Sequence, residues 1–192
     1  MEIHMFRLEC ELRGLEAYFR DLKLVLSNID SMELSSGEEN LTFASFPDVI
    51  RKGHIVTLLI VLEDQFSSLC KLQREIYDHK LKWSDFRGSA LERFMIYCES
   101  VCGIKRPVTS AELDDIKCLI ELRNCIVHNS SDLDGFNKAN QIVALSKRQS
   151  GLDVTCGFIE LSHEACLDLT DIAFEFIKRW YIQSIEHLSS TH

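Results

Sequence analysis

The sequence predicts an all-α fold, a bundle of long antiparallel helices with one short strand or hairpin near residues 142–161. Long stretches of the chain carry apolar residues at spacings of three and four, which is the period of an amphipathic helix. The 192 residues include only 8 Gly and 2 Pro, few for an all-β protein with its many turns. No internal repeat divides the chain, so residues 1–192 are expected to form a single domain.

Composition and charge narrow the class of protein. Hydrophobic residues make up 46% and charged residues 27% of the chain, which is ordinary for a globular protein and unlike a disordered one. A net charge of −9 argues against a protein that coats nucleic acid, which needs a broad basic face. The same net charge is compatible with a nuclease that has a small basic site.

The compartment follows from the start of the chain and from its apolar runs. No basic leader precedes an apolar stretch, so no secretory signal is expected. The longest apolar run, Ile55 to Leu62, is too short to span a bilayer. We expect a soluble, cytoplasmic protein with no membrane partner and with its 8 cysteines reduced. Cys98 and Cys102, one helical turn apart, are interpreted as core residues rather than zinc ligands, and no metal or cofactor is predicted.

The first two helices are predicted from their apolar stripes. Helix one runs from about Met5 to Ile29, and the Ser- and Gly-containing segment Asp30 to Leu41 is predicted to be a loop. Helix two begins near Pro47, a residue favoured in the first helical turn, and ends near His79. The apolar stripe of helix two, which Gln73 interrupts, consists of Ile55, Leu59, Leu62, Phe66, Leu69 and Ile76. Such stripes favour packing within the monomer over a free coiled coil.

The third and fourth helices are predicted from their caps. The third spans Ser89 to Val101, and Gly103 ends it. The fourth begins after Ser110 as its N-cap and ends near Asn129, a residue that tolerates the left-handed cap conformation. The segment Ser130 to Gly135 follows as a turn-rich loop.

The segment from Phe136 to Arg148 is ambiguous. Its apolar residues fit a short helix that stops at Gly151, whereas the stretch IVAL followed by LDVTCGFIEL fits a hairpin. We favour the helix followed by a short strand. The last helix is predicted from about Ser162 to Leu188.

One arginine of the fourth helix stands out. At about 100° per residue, one face of this helix collects the apolar residues Ile116, Leu119, Ile120, Ile126 and Val127. Arg123 falls near the middle of that face, Glu121 on the opposite side, and His128 about 140° from Arg123 on a more polar flank. An arginine in an apolar face must reach a carboxylate, a carbonyl, a phosphate or a wet cleft. The plainer alternative is an arginine that extends to water or forms a structural ion pair.

Arg123, Asn124, three further residues and His128 give the pattern RNxxxH at the end of this helix, before a turn-rich loop. The pattern resembles that of the HEPN superfamily, whose members are identified by Arg, four to six intervening residues and His within a helical bundle. The resemblance covers roughly residues 89–188 in organisation, and about seven residues carry it in detail. Arg74 and His79, in REIYDH, also fit the spacing, but RNxxxHN is more similar to the family pattern.

The resemblance implies a chemistry. Active members of the superfamily are metal-independent ribonucleases that need no cofactor and cleave RNA by attack of a 2′-hydroxyl on the adjacent phosphodiester. His128 would remove the hydroxyl proton, and Arg123 would stabilise the charged phosphorane with its fork of donors. Asn124, four residues before His128, would orient the imidazole or bind the phosphate.

Further implications concern substrate binding and partners. Asn129, Lys147 and Arg148 are the candidates for binding the RNA substrate, although an isolated basic pair is also typical of solvated surface. The angle between Arg123 and His128 leaves two solutions, a helix that distorts at its end or a site assembled from two subunits. The resemblance implies a homodimer, and a toxin or defence effector restrained by a nucleotidyltransferase-like antitoxin. The alternatives are a non-catalytic HEPN-like helical module that binds a nucleotide or a protein, and an unrelated helical scaffold.

Overall fold

The structure, a computed structural model, describes residues 2–31 and 46–190 of the chain. Within those residues it contains six α-helices and one small sheet of two strands, which confirms the predicted all-α fold with a short hairpin. The predicted loop at residues 30–41 lies outside the described part from residue 32 onward. No helix in the described ranges combines the length and the apolar character that crossing a bilayer requires.

The elements of the described residues, in chain order, are α1 (Glu2–Ser31), α2 (Phe46–Ile76), α3 (Ala90–Ile96), α4 (Ser110–His128), α5 (Ala139–Ser146), β1 (Leu152–Thr155), β2 (Phe158–Leu161) and α6 (His163–Ser190). A 3-10 turn at Trp83–Asp85 precedes α3, and a π-helical turn at Tyr97–Val101 continues it. The predicted ends of the long helices therefore agree with the structure to within three residues.

Helix α6 lies at the centre of the bundle and contacts α1, α2 and α4. Lys23 of α1 pairs with Asp171 near the start of α6, and Ser189 near the end of α6 contacts Met5. Helix α1 therefore runs antiparallel to α6.

Helix α2 runs parallel to α6. The imidazole of His54 meets Thr170 at one end of the pair, and Gln73 donates a hydrogen bond of 2.6 Å to Ser184 at the other. The polar interruption in the stripe of α2 is thus a buried side chain with a buried partner, as a polar group in a core requires.

Aromatic side chains fill the core between α2, α3 and α6. The rings of Phe66 and Phe94 stack with centroids 4.5 Å apart, and Phe94 meets Trp180 edge-on at 5.0 Å. All three side chains are buried. Each of these rings removes a large apolar area from water, so their burial stabilises the packing of the three helices.

The hairpin forms entirely within the second of the two stretches considered for it. Strands β1 and β2 pair antiparallel, with Leu152 opposite Leu161 and Thr155 opposite Phe158, while IVAL lies in helix α5. The two turn residues, Cys156 and Gly157, have φ of 51° and 88°. Two successive positive φ values are those of a type I′ turn, which matches the twist of the strands it joins.

Candidate functional site

Helix α4 positions the predicted site, and a cap defines each of its ends. Thr109, not Ser110 as predicted, is the N-cap: its hydroxyl accepts from the N–H of Glu112, whose carboxylate accepts from the N–H of Thr109 at 2.8 Å. At the other end Asn129 has φ of −126°, so the prediction of a left-handed Asn129 is wrong. The left-handed residues are Ser130 and Ser131, at 52° and 68°.

Helix α4 buries a different face from the predicted one. Its buried residues are Ile116, Cys118, Leu119, Glu121, Leu122 and Cys125. Val127, predicted on the apolar face, is 48% exposed, and Arg123 lies half-buried at the edge of the buried face rather than near its middle. The prediction was wrong because it left Cys118 and Cys125 out of the apolar set. It also left out Leu122 and included Ile120, Ile126 and Val127, which are not buried, so the observed buried face lies roughly 100° around the helix axis from the predicted one.

Arg123 begins a chain of hydrogen bonds along the edge of α4. Its Nη1 donates to Asn124 Oδ1 at 3.0 Å, and Asn124 Nδ2 donates to Glu121 Oε2 at 3.4 Å. The other carboxylate oxygen of Glu121 accepts from Lys138 Nζ at 2.5 Å. Since Glu121 can only accept and Arg123 can only donate, the orientation of the Asn124 amide between them is fixed.

The guanidinium of Arg123 keeps donors available. Its Nε is buried without a hydrogen-bond partner among the described residues, where Arg123 also forms no ion pair. A buried donor left without an acceptor costs about 1 to 3 kcal/mol. An acceptor from outside the monomer, such as a phosphate oxygen, would remove that penalty.

His128 is the last residue of α4, and its side chain is exposed. Its imidazole makes no hydrogen bond or ion pair with any residue in the described ranges. An exposed imidazole without an internal partner is accessible to a group from outside the monomer.

The end of α4 does not bend to bring His128 towards Arg123. The helix stays α-helical through His128, and the next N–H, of Asn129, still donates to the carbonyl of Cys125 at 2.9 Å. Five residues of ideal helix separate the two side chains by about 7.5 Å along the axis and about 140° around it. Of the two predicted solutions, the distorted helix is therefore excluded for this monomer.

Asn129 stabilises the loop that follows α4. Its side-chain Nδ2 donates to the carbonyl of Asp132, and to that of Asp134 at 3.1 Å. The carboxylate of Asp132 in turn accepts from the N–H of Asp134 at 2.8 Å. In this Asx-type arrangement the side chain of Asn129, predicted to bind substrate, instead holds the backbone of the loop.

The basic pair after α5 lies at the level of the first half of α4. Arg148 donates through Nη2 to Asp115 at 2.7 Å, while Lys147 is exposed. Asp115 is eight residues before Arg123, which corresponds to about 12 Å along the helix. The structure therefore brings Arg123 and Asn124 together, and it places Lys147 and Arg148 elsewhere on the surface.

The cysteines considered for zinc are core residues. Cys98 and Cys102 are both buried beside Cys70, and burial raises the pKa of the Cys102 thiol to about 12. A thiol kept protonated in this way is a poor metal ligand, because metals bind the thiolate. Within the described residues no three His, Cys, Asp or Glu side chains are grouped so as to hold a metal ion.

Glu121 and Lys138 belong to the candidate site, and the sequence analysis missed both. Glu121 was assigned to the polar face of α4, but it is only 9% exposed and holds Asn124 through a hydrogen bond. The spacing of Cys118, Glu121, Leu122 and Cys125, at three, four and seven residues from the first, is the signal that would have found it.

The chain was compared with models of known protein families, with curated proteins and with solved structures, and none of the three comparisons gave a match. The resemblance to the HEPN superfamily expected from the sequence therefore rests on the pattern of residues 123–129 alone.

Proposed function

We propose that this protein is a metal-independent endoribonuclease of the HEPN type whose site is completed by a second copy of the chain. One observation carries the proposal: a half-buried arginine is anchored through a single donor, with Nε unpaired, one and a half turns before an exposed histidine. Neither group is enclosed in the core or neutralised by a carboxylate of a described residue.

The proposed reaction uses these two groups on one phosphodiester. His128 takes the proton from the 2′-hydroxyl, whose oxygen attacks the adjacent phosphorus. Arg123 donates hydrogen bonds to the phosphorane oxygens as negative charge builds on them. The P–O5′ bond breaks, leaving a cyclic phosphate on one product and, after protonation, a 5′-hydroxyl on the other. Asn124 acts as a positioning residue, because it fixes one edge of the guanidinium.

A second copy solves the angular problem of the single helix. A two-fold axis beside the end of α4 would place Arg123 of one copy opposite His128 of the other, since a two-fold interface brings a patch against itself. Val127, an exposed apolar side chain between them, would gain cover. In the monomer Arg123 is half-buried and His128 is exposed, so both can be reached from the surface.

Of the predicted substrate-binding residues, Lys147 fits the proposal best, since its ammonium is exposed and forms no ion pair with a described residue. A cytoplasmic location, a role as a toxin or defence effector and restraint by a nucleotidyltransferase-like antitoxin complete the proposal. Such restraint would be needed because an unspecific ribonuclease harms the cell that makes it.

Bacterial growth tests the proposal. Expression of the wild type should slow growth, and Arg123→Ala and His128→Ala should each restore it, because each removes a group that acts on the phosphodiester. Arg106→Ala and His79→Ala are matched controls, since each removes the same residue type from outside α4, and both should remain as harmful as the wild type. Equal growth of all five strains at equal protein levels would contradict the proposal.

A non-catalytic module that binds a nucleotide or a protein is a second candidate. It is favoured by the engagement of Asn129 and Arg148 inside the monomer, which leaves fewer groups for an RNA strand. This candidate predicts that purified protein leaves RNA intact while Arg123→Ala still weakens partner binding.

A further inference from the structure

A cavity of about 340 Å³ lies between the C-terminal part of α2 and the 3-10 turn that precedes α3. Its lining residues, none of which belongs to α4, are Cys70, Lys71, Arg74, Lys82, Trp83 and Ser84. Cys70 is buried, whereas the two lysines and the arginine are exposed. The cavity therefore has an apolar floor, and cationic groups stand at its mouth.

The charge at this cavity is unusual for a chain of net charge −9. Its lining holds three cations and no carboxylate, and none of the three forms an ion pair with a described residue. Arg74 Nε donates to the carbonyl of His79 at 3.1 Å, which orients the guanidinium and leaves its Nη groups for another acceptor. The nearby carboxylate of Asp85 accepts a hydrogen bond of 2.8 Å from the backbone N–H of Lys82 and forms no ion pair with the three cations.

Trp83 is held in place at the wall of the cavity. The Arg93 guanidinium lies 4.5 Å from the centroid of its ring, and Arg93 Nε is buried without a hydrogen-bond partner among the described side chains. Buried Tyr97 donates to the carbonyl of Leu81 at 3.3 Å and thereby anchors the segment just before the turn. The cavity thus has one fixed aromatic wall and a fourth cation behind it.

We propose that this cavity binds an organic phosphate, with the flat or apolar group of the ligand inside and its dianion held at the mouth by Lys71, Arg74 and Lys82. The volume lies at the lower end of the range for small-molecule sites. An arginine and two lysines together match a dianion in charge and in hydrogen-bond donors. The proposal is independent of the ribonuclease function, whose tests use Arg123 and His128.

Phenyl phosphate is the first probe, and tryptophan fluorescence is the readout. The chain has two tryptophans, and Trp180 is fully buried in the core, so a ligand in the cavity should change the emission of Trp83 alone. Calorimetry gives the affinity independently. Trp83→Phe should abolish the fluorescence response while calorimetry still detects binding.

Variants of the full chain separate the contributions to binding. The double variant Lys71→Gln/Arg74→Gln should bind phenyl phosphate at least about tenfold more weakly, since it loses two charged donors. Lys105→Gln, which removes one positive charge from an exposed position outside the cavity, is the matched control and should bind within about twofold of wild type. Ser84→Trp should block binding by filling the cavity without changing its charge.

Three results would overturn the proposal: no heat of binding at millimolar phenyl phosphate, equal affinity for phenol or inorganic phosphate, or equal weakening by Lys105→Gln. The source of the phosphate is distinguished by two further arms, a nucleoside monophosphate and a short RNA carrying a 5′-phosphate. Tighter binding of either than of phenyl phosphate supports the site and identifies that source. Circular dichroism of every variant shows that the fold is retained.

Discussion

At the scale of single residues, His54 shows how burial sets the charge of a side chain. It lies 8% exposed between α2 and α6, with Nε2 2.8 Å from Thr170 Oγ1. The hydroxyl of Thr170 donates to the carbonyl of Cys166, so its oxygen accepts from the protonated Nε2 of a neutral ring. Burial, and secondarily the nearby His163, lowers the pKa of His54 to about 4.

That pKa predicts a loss of stability in acid. An unfolded histidine has a pKa near 6.5, so between about pH 6.5 and 4 the unfolded state binds more protons than the folded one. The free energy of unfolding should therefore fall as the pH drops from about 6.5 to about 4. His54 contributes up to about 3 kcal/mol to this loss, which levels off at lower pH. Urea titrations across the window measure it. His54→Gln, which cannot titrate, should show a flatter profile, and an unchanged pH dependence in that variant would contradict this assignment.

The residues of the site were only partly predictable. The sequence identified Arg123, Asn124 and His128 as neighbours at a helix end, and the structure places them there. It did not predict the hydrogen bonds of Asn124, because these depend on which face of α4 packs inward. That face is set by two cysteines and by contacts with α2, α5 and α6, which are tertiary information.

At the scale of elements, the capping box of α4 should contribute measurably to stability. Thr109→Ala removes the hydroxyl that accepts from the N–H of Glu112, and should cost about 1 kcal/mol. Ser110→Ala is the matched control, since this neighbouring hydroxyl makes no hydrogen bond with a described residue. Thermal unfolding followed by circular dichroism gives the comparison. Equal melting temperatures for the two variants would show that the box does not stabilise α4.

The helices were predictable because long apolar stripes repeat the helical period many times. The hairpin was harder to predict from the sequence, because each strand has only four residues and the turn contains Cys156, a residue not typical of left-handed positions. Tertiary contacts stabilise the short helix α5 rather than the alternative strand, because Ile142 and Leu145 are buried and α5 packs along α4.

At the scale of the whole molecule, the directions of the helices decide which surfaces are free. Periodicity predicted the core-facing stripes of the longest helices but not that of α4, and it could not tell that α2 runs parallel to α6 while α1 opposes both. In the resulting bundle the end of α4 stays exposed at His128. The proposed site therefore requires a second chain at that end of α4, and intermolecular contacts of this kind leave no periodic signal in a single sequence.

Mixing two inactive variants tests this central claim most directly. Purified Arg123→Ala and His128→Ala proteins are first incubated with RNA separately, in excess chelator. The two proteins are then unfolded and refolded together, and the mixture is incubated with RNA under the same conditions. If each site takes Arg123 from one copy and His128 from the other, half of randomly formed dimers are mixed and one of their two sites is intact, so about a quarter of wild-type cleavage should return. The products should carry a cyclic phosphate. A wild type that cleaves RNA while the mixture stays inactive would contradict the shared site, and a wild type that leaves RNA intact would contradict the ribonuclease itself.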